Sequence, residues 1–282
     1  MINHVKSTLL RNTVISVIQR RISMRPFWSF VLFVVVCLAG LGLFRMESDA
    51  AQGEEHIEFS FSPGEVLRYN VRWGVIPAAH ATLEVHPMVE LDGRLAHHFV
   101  MTTRTNSFAD YFYRYRNHID SFTDIDMSRS LNFNKREEER SRRRNVDVHF
   151  NWTRGVAQVT ENGRTRDGAE LVNGTFDPLS IFYVFRSRPL HVGAELSVPV
   201  SDGKKLVHGV AKVVAREEIS IEGRVFDCFI VEPDLKDLGG VFQKSPDAAL
   251  QIWVTADESR LPVRVRSKVV VGYFTAELDL ET

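Results

Sequence analysis

The sequence predicts an all-β fold: one large curved antiparallel sheet, a half-barrel or closed barrel, covered by a short buried helix at about 177–187. Three observations carry this. In segment after segment apolar and polar residues alternate, as Leu67, Tyr69, Val71 and Trp73 do with Arg68, Asn70 and Arg72, the period of a half-buried strand. About a dozen such segments follow one another across short turns, and a sheet of that size curls, splits or closes. The one convincing helix, Phe176–Arg186, is apolar nearly all round, which suits an element packed against the sheet.

The 282 residues are 44% hydrophobic and 25% charged with a net charge of -1. That is globular composition, and it gives no global pull toward nucleic acid. Cys37 and Cys228 lie too far apart in different settings to pair, and no metal-type spacing exists. Cys228 is expected to be a buried free thiol.

Residues 1–50 set the address. Phe27 to Phe44 is an uncharged apolar run, preceded by Lys6, Arg11, Arg20, Arg21 and Arg25. This order keeps the flank in the cytoplasm and sends the rest of the chain outward. Two readings stay open: a signal peptide cut near Ser48-Asp49-Ala50, or an anchor that remains in the membrane. Met24 is an alternative start. Either reading makes the protein periplasmic, soluble after cleavage or tethered to the inner membrane. Arg20-Arg21 and Cys37 fit twin-arginine and lipidation signals poorly.

After a polar linker at 51–60, residues 61–282 read as a single domain. Strands are expected over 67–73, about 79–86 and 95–105, with an Asp92-Gly93 hairpin turn between the last two. Phe108–Tyr111 reads as a helical turn. Leu131–Glu139 and Asn145–Trp152 form a long pair, and Val156–Thr160 a shorter strand. A loop with Gly168 and Gly174 leads to the helix, where Asp177 suits an N-cap and Pro178 a first helical position. Strands follow over 195–200, 205–217, 219–232, 249–255, 261–271 and 273–280.

Candidate chemistry is sparse. His97 and His98 are adjacent on a strand and point to opposite faces; His86 and His98 can meet across their hairpin, but no third ligand is visible, so no metal site is assigned. Lys135–Arg144, KREEERSRRR, suits phospholipid headgroups or another anion, yet its glutamates favour a solvated tip with internal ion pairs. No nucleophile elbow, phosphate loop or dinucleotide fingerprint occurs, so no catalytic residue or cofactor is assigned. The expected wall of an apolar space between helix and sheet is Phe182, Tyr183 and Phe185, with Trp73 and Trp253 as neighbours.

Three segments carry a resemblance. Gly64, Glu65, Leu67, Tyr69, Val71 and Trp73 open the domain; Asp177, Ser180, Tyr183 and Arg186 follow on the helix; Trp253, Asp257, Arg260, Pro262 and Val263 close it. In this order they resemble the bacterial family of unknown function numbered 3108, which implies an exported β-rich protein and no agreed activity. The closing segment is also similar to one in periplasmic lipoprotein carriers, curved sheets plugged by helices, a likeness of fold only. Two function classes follow: a module binding an acyl chain or other apolar small molecule, and a structural or envelope-protein interaction domain with a packed core. An enzyme is a distant third.

Overall fold

The computed structural model describes residues 59–234, 248–269 and 272–281. The apolar run at 27–44, its basic flank and nearly all of the linker lie outside the described residues.

The domain is a single antiparallel sheet. Its strands are β1 (Val66–Trp73), β2 (Ile76–Leu91), β3 (Arg94–Thr105), β4 (Tyr115–Asp124), β5 (Ser130–Glu139), β6 (Arg142–Asn151), β7 (Val156–Glu161), β8 (Arg164–Glu170), β9 (Glu195–Ser201), β10 (Leu206–Ile221), β11 (Arg224–Pro233), β12 (Ala249–Thr255), β13 (Pro262–Val269) and β14 (Gly272–Leu278). Among the described residues two short helices interrupt them, α1 (Ser107–Phe112) and α2 (Ser180–Arg186). The order across the sheet is β8 back to β1, then β14 back to β9. The first and last strands therefore pair at its centre, and β8 and β9 are its edges.

Those edges nearly meet, which makes the sheet a barrel. The Gly203 carbonyl accepts from Ala169 N at 2.8 Å, and Phe176 bridges Val200 in parallel. Gly168 is required at this seam, because a Cβ there would lie 1.9 Å from the Gly203 oxygen. Bulges at Val71/Arg72, His86/Val89, Phe122/Thr123, Val213/Ala215 and Trp253/Val254 bend the strands around the axis. Leu67, Tyr69, Val71, Leu83, Val85, Phe99, Met101, Ile119, Phe133 and Val148 belong to one continuous core with α2.

Three expectations change. Residues 164–170, expected as loop, form β8; only Ala169 is buried there, so the strand lacks the alternation that marks a half-buried one and is held by backbone pairing with β7. β10 continues to Ile221 and turns at Glu222-Gly223, both with positive φ. The helix begins at Ser180, not Pro178.

Candidate functional site

α2 lies across one end of the barrel and is fixed at both of its own ends. Asp177, fully buried, sits ahead of the first turn. Its carboxylate accepts from the backbone of Leu179 at 2.8 Å and Ser180 at 3.0 Å, and from the hydroxyls of Ser121 and Ser130 at 2.7 and 2.5 Å. It thus satisfies free N–H groups as an N-cap would, from outside the helix proper. Ser180 Oγ lies 2.8 Å from Ser130 Oγ. At the other end Arg186, 1% exposed, donates to both Glu65 carboxylate oxygens at 2.6 and 2.9 Å and to the carbonyls of Ser60 and Ser259 at 2.7 and 3.1 Å. Arg260 donates to the Arg186 carbonyl at 3.0 Å, and Tyr69 to the Pro262 carbonyl at 2.8 Å. The helix, the start of β1 and the β12–β13 turn are therefore tied into one clasp.

Between these fixed ends the side chains of α2 are all buried. Tyr183 is stacked on Phe99 at 3.9 Å between ring centroids and meets Phe61 edge-on at 5.3 Å. Ile181, Phe182, Val184 and Phe185 are all buried. Desolvation pushes the Tyr183 hydroxyl's pKa up, and that hydroxyl is buried without a hydrogen-bond partner.

Trp73 and Trp253 are not part of this wall. Trp73 is half-buried at the far end of β1 from Glu65, roughly 26 Å along an extended strand. Trp253, although buried at 6% exposure, lies on the other face of the sheet. The inward line in register is Ile252, Val265, Ala276 and Val71, so its neighbour Trp253 points away, under the Arg264 guanidinium and donating to Glu217 at 2.7 Å. The bulges and near-closure that decide these positions leave no trace in the local sequence.

The charged β5–β6 hairpin divides between two faces. Continuing period two from buried Phe133 turns Lys135 and Glu137 inward. They pair at 2.5 Å, and Tyr115 donates to Glu137 at 3.3 Å. Burial lowers the Lys135 pKa against the opposing pull of Glu137. Thr103 Oγ1 and the Asn117 side-chain amide are buried nearby without partners. This polar end of the interior was legible in the Phe133 register.

Arg136 and Glu138 turn outward. Arg104, Arg116, Glu138 and Arg143 stand in one row across β3 to β6, beside a second row of Thr102, His118, Arg136 and Asn145. The side chains wall a concavity of about 350 Å3. Arg116 is paired with Asp110 of α1 at 2.5 Å and Glu138 with Arg114 at 3.6 Å. Among the described residues Arg104, Arg136 and Arg143 form no salt bridge, and Arg136 acts on Asp120 only at longer range.

His86 and His98 do meet, ring centroids 4.8 Å apart, but each bonds a carboxylate, Glu84 and Asp120, at 3.0 Å. No group of three or more His, Cys, Asp or Glu among the described residues could hold a metal ion.

The clasp unites the three segments that carried the resemblance, and a family model described as "Protein of unknown function (DUF3108)" matches residues 68–279. The chain belongs to the DUF3108 family. Glu65 with Arg186 and Tyr69 with Pro262 give this DUF3108 chain's signature residues a physical task, closing the helix end of the barrel. No curated protein matches the chain. Among solved structures it is similar to a beta-barrel-like protein of domain of unknown function DUF1849 from Brucella abortus, at 11% identity over 76% of this chain and 94% of that one, with a TM-score of 0.47.

Proposed function

We propose that this DUF3108 protein is an exported cell-envelope component, a plugged barrel with a packed core that acts through its outer surface as an interaction domain. The observation that supports this is burial at α2: Leu179 and Tyr183 have no solvent exposure, and Tyr183 lies against Phe99 in ring-to-ring contact. Protein interiors packed in this way leave only small voids. Export rests on the basic flank and the uncharged run 27–44.

Native mass spectrometry of protein purified from its own envelope, followed by lipid extraction, tests the packed core. A single protein mass without stoichiometric lipid is expected. A C-terminal phosphatase fusion tests export and is expected to be active. One observation favours a second reading, an acyl or other apolar ligand between sheet and helix: the buried, unpartnered Tyr183 hydroxyl suits a ligand's polar group. Stoichiometric lipid in the extract would establish that reading instead.

A further inference from the structure

One end of the barrel exposes aromatic side chains beside unpaired arginines. α1 buries only Ala109. Phe108, Tyr111 and Phe112 are 59%, 86% and 48% exposed, and Phe112 meets the other two rings edge-on, with centroids 5.5 and 5.1 Å apart. The helix is nevertheless firmly held. Asn106 caps it by accepting from Ala109 N at 2.8 Å, and bonds the carbonyls of Pro77 and Ala78 at 2.8 and 3.0 Å. This places α1 beside the β1–β2 turn, where Val75 is 91% exposed. A fixed scaffold therefore presents these rings to solvent.

The arginine concavity adjoins this helix. The Asp110–Arg116 pair links the two directly, and Arg140 N donates to the Arg114 carbonyl at 2.8 Å, setting the β5–β6 tip at the same end. Arg104, Arg136 and Arg143 leave net positive charge in the concavity, and guanidinium groups match phosphate oxygens two at a time. Rings at headgroup level with basic side chains around them are the chemistry of a bilayer interface. A small free anion would account for the arginines and leave the three aromatic side chains without a role.

We infer that this end of the barrel docks on an anionic lipid bilayer, phosphate headgroups entering the arginine concavity while Phe108, Tyr111 and Phe112 rest at the headgroup–acyl boundary. The inference deepens the outward-acting reading above and rests on it. It reassigns the charged hairpin, whose outward half becomes an anion-binding surface while its inward half pairs within the barrel.

The test uses residues 51–282, which hold every described strand and helix and the whole core, free of the apolar run that would itself enter membranes. Co-sedimentation is measured with phosphatidylglycerol–phosphatidylcholine vesicles, with phosphatidylcholine vesicles, and in the presence of inorganic phosphate. Wild type is expected to bind the anionic vesicles only, and less tightly as salt rises. Arg104→Glu, Arg136→Glu and Arg143→Glu together should weaken binding on the order of a hundredfold. Phe108→Ser, Tyr111→Ser and Phe112→Ser together should weaken it roughly tenfold. All six positions are exposed, so both variants should keep the wild-type melting temperature. Equal binding to neutral vesicles, variants that bind like wild type, no vesicle binding, or saturable inorganic phosphate binding without vesicle binding would each overturn the inference. Vesicle failure with an active phosphatase fusion overturns the docking and spares the exported barrel; vesicle binding with an inactive fusion does the reverse.

Discussion

The Arg186 guanidinium, 1% exposed, bonds Glu65 and two carbonyls and leaves only its Nε without a partner. Removing one side of such a pair leaves the other charge buried and uncompensated, which costs about 3–5 kcal/mol. Arg186→Ala should lower the melting temperature by roughly 10 °C; an unchanged melting curve would show that the clasp contributes nothing. Burial likewise pushes the Cys228 thiol up to about 12. It should resist a thiol reagent in the native protein and react once denatured, and rapid native labelling would contradict its burial. At this scale the sequence was informative about type and mute about partner. The placing of Arg186 at the end of an apolar helix was readable, whereas Glu65 lies 121 residues away and only the folded barrel brings it near. Lys135 and Glu137 show the opposite case: the register from Phe133 places them inside, but a run of charge draws attention to solvation first.

Among the elements, the seam between β8 and β9 is the least expected. β8 is polar and nearly all exposed, so pairing rather than burial defines it. Its fit depends on two glycines in contact. Gly168→Ala would drive a methyl into the Gly203 carbonyl and should cost about 1–3 kcal/mol as overpacking. Urea unfolding measures this, and no change would mean that the edges stand further apart. Glu161 of β7 braces the same seam, bonded to Lys204 at 2.7 Å and Arg144 at 2.6 Å. Lys204 first and Arg144 second hold its pKa down at about 2 from an ordinary 4.5. A depressed carboxylate stabilises above its unfolded pKa, and that contribution fades as pH falls from 4.5 through 2. Glu161→Gln should therefore lose less stability than wild type across this window in acid unfolding; parallel acid curves would remove the brace. Most paired strands were legible from alternation and Asx–Gly turns, because one face of each meets the core.

For the whole molecule, alternation, strand number and one apolar helix were enough to reach a plugged barrel. The placing of Trp253 on the sheet's other face and the distance of Trp73 from α2 were not readable, because bulges and strand order act over the entire sheet. The central claim is that the space beneath α2 is packed core. A fluorescent acyl probe titrated against the wild-type domain and Phe182→Ala, with melting curves of both, tests it most directly. A packed core predicts no saturable binding to wild type and a loss of about 3–5 kcal/mol in the variant, the cost of a cavity in a filled interior. Saturable probe binding to wild type, weakened in Phe182→Ala with little loss of stability, would contradict it.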